Sequence, residues 1–130
     1  MPTILFLCVK NSARSQMAEG LARALAPKGY RFFSAGSDPG VINPLAIEAL
    51  REQNIDIAHH RAKGIDEVPL GEVDTIVTLC AEEVCPVVPG AVRRLHWPLP
   101  DPRDNAGFRM VRDDLRARLP TLWVAPPDSR

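Results

Sequence analysis

Three cysteines in 130 residues are too few for a disulfide-stapled scaffold, and an odd number cannot all pair within one chain. Charge of one sign is equally scarce: sixteen basic residues balance sixteen acidic ones. No overall field therefore recruits nucleic acid or an anionic membrane, and any anion binding has to be local. Long apolar runs are missing too. Nothing approaches the ~20 residues of a membrane span, and Thr3 to Leu7 is too short for the core of a cleavable leader. These absences point to a cytoplasmic protein without membrane or nucleic-acid partners, and nothing demands more than a monomer. Aromatic residues make up 5% of the chain with a single tyrosine, Tyr30. The only histidines are His59, His60 and His96. They assemble no zinc site, because four residues separate Cys80 from Cys85 where zinc knuckles have two.

What is present is ordinary globular material, 45% hydrophobic and 25% charged, enough for one domain over residues 1–130 with a loose tail from about 126. Strand-like and helix-like segments alternate, which predicts an α/β layer with a parallel sheet. Thr3–Leu7 reads as a first strand. Met17, Leu21 and Leu25, with Ala18 and Ala22, recur at helical spacing until Pro27 and Gly29. Arg31–Gly36 reads as a second strand, and Asn43-Pro44 as the N-cap and first position of a helix with Leu45, Ala46, Ala49 and Leu50 inward. The polar stretch from Ile55 to Gly71 has no period and is read as loop with a short helix near Asp66. Val73–Leu79 predicts a buried third strand and Val92–Trp97 an edge strand. Three prolines stiffen Trp97 to Pro102. Phe108, Val111, Leu115 and Leu119 mark a last helix capped by Asp104.

Chemistry concentrates in Cys8-Val9-Lys10-Asn11-Ser12-Ala13-Arg14-Ser15. A strand leads in and a helix leads out, so the backbone N–H groups of residues 9–14 and the positive helix end can surround a tetrahedral oxyanion. Arg14 can grip two of its oxygens, and the same environment favours the thiolate of Cys8. Ser15 is placed to donate to the sulfur or to cap the helix, and Asn11 to take a left-handed turn. Read plainly, Cys8 could instead be a buried structural cysteine beside a surface arginine. Asp101, in the proline-rich loop, can protonate a leaving oxygen or simply form a turn. Cys80 closes the third strand on the same sheet edge as Cys8. With Cys85 it makes three thiols, the number needed for one attack and two exchanges.

Cys8–Glu19, Ser34-Ala35-Gly36, Thr78-Leu79-Cys80, Cys85-Pro86 and Trp97–Pro102 together resemble the low-molecular-weight tyrosine phosphatase superfamily, and within it the thioredoxin-coupled arsenate reductases. The resemblance spans about Met1 to Leu119. It implies a four-stranded parallel sheet with helices on both faces. It further implies attack of Cys8 on arsenate, a Cys8–Cys80 and then a Cys80–Cys85 disulfide, and thioredoxin as reductant without other cofactor. Phosphate and sulfate are the expected competing anions. The gap between Cys80 and Cys85 is shorter than in the best-known reductases of this kind. Some members hold potassium through oxygens at positions matching Asn11, Glu19 and Ser34; here Lys63 is expected beside Glu19 in its place. The same scaffold could hydrolyse phosphotyrosine, but Arg103 and Asp104 stand where an aromatic frame would follow Asp101-Pro102. An anion or arsenite sensor would leave Arg14 and Asp101 without work.

Overall fold

β1 (Thr3–Cys8) is buried at all six positions, as a continuous apolar run requires when a strand is covered on both faces. The structure, a computed structural model, describes residues 2–81 and 92–123. Cys85 and the C-terminal tail lie outside them. After β1 come α1 (Arg14–Leu25), β2 (Arg31–Gly36), α2 (Pro44–Arg51), β3 (Thr75–Thr78), β4 (Arg93–His96) and α3 (Asn105–Arg118). Short 3-10 helices occupy Ile65–Glu67, Leu70–Glu72 and Leu119–Leu122. The sheet is parallel throughout in the order β2-β1-β3-β4.

Successive side chains of β1 leave opposite faces of the sheet. Ile4 and Phe6 join a cluster with Met17 and Leu21 of α1, Leu50 of α2, and Phe108 and Leu115 of α3. Leu5 and Leu7 join the other cluster with Ala35, Ile76, Val68 and Val73. Helical elements thus cover both faces, α-helices on one and the 3-10 segments Ile65–Glu67 and Leu70–Glu72 on the other. Each such large side chain, fully buried, stabilises the fold by about 1.5–3 kcal/mol.

The helix ends follow the sequence. Asn43 accepts from the Leu45 N–H at 2.9 Å with Pro44 at the first helical position. Asn54 takes φ 62° just past α2, the left-handed stop that asparagine tolerates. Asp104 accepts from the Gly107 N–H at 2.8 Å and opens α3. Two expectations shift. β3 is shorter than Val73–Leu79, because the Val73 N–H closes the preceding 3-10 turn on Leu70. The start of α1 falls at Arg14 with Ala13 in the cap position and no side-chain cap, so Ser15 lies inside the first turn rather than capping it.

Because β1 is flanked by β2 on one side and β3 on the other, the chain leaves its carboxyl end in a crevice where connections diverge. Ligands of open α/β sheets bind in such crevices.

Candidate active site

The loop from Cys8 to Arg14 turns back on itself through Asn11, whose φ of 51° places it in the left-handed region. Its carbonyls face away from the cleft and are satisfied from outside. Asp38 N–H donates to the Val9 carbonyl, Gly40 N–H to that of Lys10 and Asn43 N–H to that of Ser12, at 2.8–2.9 Å. Three backbone ties from residues 38–43 therefore hold the oxygens outward. This leaves the inner rim to N–H groups, as an anion cradle needs. Gly36 packs against the same loop so closely that a Cβ there would stand 2.4 Å from the Val9 oxygen and 2.8 Å from the Asn11 nitrogen. Glycine is required by that approach alone.

At the floor, Cys8 is buried and is a free cysteine. Ser15 Oγ lies 2.8 Å from its sulfur, and the Asn11 N–H points at it from 3.3 Å. Asn11 Nδ2 in turn donates to Ser15 Oγ at 2.7 Å. With that oxygen already accepting, the Ser15 hydrogen is directed at the sulfur. Two donors aimed at one sulfur stabilise negative charge on it.

Arg14 is buried at the wall of the cleft. Its Nη1 donates to the Leu99 carbonyl at 3.0 Å, and its Nη2 lies 3.8 Å from Asp101 Oδ1. The guanidinium is thereby aligned by the proline-rich loop that carries the aspartate. The cleft, about 410 Å³, is bounded by the cradle, Asn43, Asp101 and Pro102. No aromatic side chain lines it among the described residues. Lys10 sits on its rim, paired with Asp38.

Cys80 follows β3 and is buried. Leu7 lies opposite Thr78 and the Leu79 N–H donates to the Leu7 carbonyl at 2.9 Å, so Cys8 and Cys80 leave the same sheet edge on adjacent strands. Cys80 is disulfide-bonded.

Beneath the cradle, Glu19 accepts from Ser34 Oγ and from Arg23 Nε at 2.9 Å, and the Lys63 ammonium stands 3.7 Å from its Oε1. The Lys63 backbone N–H donates to Asn11 Oδ1 at 2.8 Å. Two residues absent from the sequence-based site join here. Gln16, fully buried, bonds Asn11, and His60 bonds Gln16. Burial holds the His60 imidazole below its usual range against the opposing pull of Glu19. Gln16 falls inside the Cys8–Glu19 stretch that carries the resemblance but is given no role there, and a histidine in an aperiodic stretch is ordinary. Trp123, also unassigned by the sequence, packs edge-on against Tyr30 and Phe32. Among the described residues no cluster of histidine, cysteine and carboxylate side chains forms a metal site, and no helix is long and apolar enough to cross a membrane.

Comparison with known proteins places this geometry. The family model for low molecular weight phosphotyrosine protein phosphatase matches residues 3–125. An arsenate reductase of Staphylococcus xylosus is 42% identical over 121 residues, covering 90% of this chain and 92% of the relative. A solved arsenate reductase in a phosphate-binding state superposes with a TM-score of 0.85 at 30% identity, over 94% of this chain and 96% of that one. A thioredoxin-dependent arsenate reductase of Corynebacterium glutamicum gives a TM-score of 0.78 at 31% identity, over 95% of this chain and 60% of that one.

Proposed function

We propose, from the premise that this chain belongs to the low molecular weight phosphotyrosine protein phosphatase family, that it reduces arsenate to arsenite with its own thiols. The observation that carries the reading is a free Cys8 at the floor of an anion cradle, with a second cysteine leaving the adjacent strand. The Cys8 thiolate attacks arsenic while Asp101 protonates the departing oxygen, which leaves as water. Cys80 then attacks the Cys8 sulfur. The sulfur–arsenic bonding pair stays on arsenic, which departs as arsenite, and a Cys8–Cys80 disulfide remains. Cys85 attacks Cys80 and frees Cys8, and a dithiol carrier of the thioredoxin type reduces the final bridge. A free Cys8 beside a disulfide-bonded Cys80 is the pairing that this sequence of exchanges ends on.

Arg14 and the N–H groups of Val9, Lys10, Asn11, Ser12 and Ala13 bind the oxyanion, with phosphate and sulfate as competitors, and Ser15 supports the thiolate. The enzyme works in the cytoplasm as a monomer without a resident cofactor. Potassium does not fit beneath the cradle, because Glu19 already faces Arg23 and Lys63 and Asn11 Oδ1 already accepts two N–H donors. A potassium titration at constant ionic strength is expected to leave turnover and melting temperature unchanged. Phosphotyrosine hydrolysis is the lesser reading, since no aromatic side chain among the described residues frames a ring in the cleft.

The decisive experiment is a single round of arsenate turnover followed by disulfide mapping by mass. A Cys80–Cys85 bridge and one equivalent of arsenite are expected, and Cys80→Ser releases no arsenite. Full arsenite release by Cys80→Ser would overturn the proposal.

A further inference from the structure

Two backbone groups of fixed polarity settle a hydrogen-bond chain that ends on Cys8. The Lys63 N–H can only donate, so the atom of Asn11 that meets it is Oδ1, and the Asn11 amide nitrogen faces Ser15. The Arg61 carbonyl can only accept, so the atom of Gln16 that meets it, at 2.9 Å, is Nε2. The same Nε2 donates to Asn11 Oδ1 at 2.8 Å, and Gln16 Oε1 is left to accept from His60 Nδ1 at 3.0 Å. Every link then donates toward the sulfur, from His60 through Gln16, Asn11 and Ser15 to Cys8. Asn11, Ser15 and Gln16 are each 0% exposed, so no water substitutes for a missing donor cheaply.

We infer that Gln16 is a positioning residue that sets the reactivity of Cys8 without touching it. Its carboxamide ties α1 to the Arg61 carbonyl and the His60 ring on one side and to Asn11 of the cradle on the other. It holds Asn11 in its left-handed conformation with the amide turned toward Ser15. The charged groups around the chain are Glu19 and Arg23 of α1 with His59 and Lys63 at the His60 end, and Arg14, Lys10 and Asp101 about the cleft. None of them bonds Gln16 in the structure, so the effect of replacing it is carried through the hydrogen bonds.

The inference leans on the proposed role of Cys8 as nucleophile, but its test uses no arsenate and so fails independently of the reductase reading. Oxidised protein, in which Cys8 is the free thiol, is treated with iodoacetamide across a pH series, and alkylation is read by mass on the Met1–Lys10 peptide. In Gln16→Leu the rate at neutral pH is expected to fall about three- to tenfold, the span one hydrogen bond commands. The whole profile moves to higher pH. Gln16→Glu, of the same shape, faces two acceptors with a carboxylate and shifts the profile the same way. Protection by inorganic phosphate persists in both. A wild-type profile in either folded variant, whatever its melting temperature, overturns the inference. So does loss of the fold in both variants, which would assign Gln16 to the scaffold alone.

Discussion

Asp101 and the cradle line one cleft, and their surroundings differ sharply. The side chain of Asp101 is 64% exposed and approaches Arg14 no closer than 3.8 Å. Cys8, Asn11, Arg14 and Ser15 are buried, and the loop they belong to is held by ties from residues 38–43, from the close approach of Gly36 and from Lys63. The cradle is therefore held in place before anything binds, while Asp101, the proposed proton donor, is left exposed and free to adjust to what binds. That division suits a reaction in which the anion must be fixed before a thiolate attacks, whereas a proton can arrive through a small displacement.

The contrast can be broken from either side. Asp101→Asn removes the acid and little else, so turnover with arsenate is expected to fall by about 10²-fold or more. Stability should change by no more than about 0.5 kcal/mol, since an exposed carboxylate contributes little to the fold. Stopped-flow kinetics and a melting curve on the same sample check both halves. Gly36→Ala attacks the cradle. The new Cβ drives Val9 and Asn11 apart, at a cost of about 1–3 kcal/mol, and phosphate should protect Cys8 less well from alkylation. Unchanged protection in a destabilised protein would mean that the cradle does not depend on that approach.

The smallest effect lies far from the cleft. Glu52 is lowered from its usual 4.5 to about 2 by hydrogen bonds from Arg109 and then Arg112, which join α2 to α3. A depressed carboxylate stabilises the fold above its unfolded value and loses that contribution as pH falls. The melting-temperature difference between wild type and Glu52→Gln should therefore be constant above about 4.5 and close toward about 2. The pair is exposed and the difference is small. Arsenate turnover at neutral pH should not respond to it.

How much of this was legible in the chain depends on which atoms do the work. Apolar periodicity gave Met17 and Leu21 to the core, Asn43 and Asp104 announced their helices, and three prolines announced the stiff loop before Asp101. Those signals live in side-chain type, which a sequence spells directly. The ties from Asp38, Gly40 and Asn43 use backbone N–H groups, which every residue but proline has, so no residue type marks them. Gln16 and His60 were silent for a related reason. Their meaning comes from the Arg61 carbonyl and the Lys63 N–H, supplied by a stretch without period that was read as loop. Ser15 meets the Cys8 sulfur as its type and place suggest, but it does not also cap the helix, because it falls inside the first turn.

One property of the sheet bears on the proposed thiol exchange. Neighbouring parallel strands run about 4.8 Å apart, a spacing inside the Cα separation that a bridged cystine spans. Because β1 and β3 are immediate neighbours with Leu7 opposite Thr78, Cys80 follows β3 beside the strand end that holds Cys8, and the disulfide that the proposed reaction requires between them needs no change of strand order.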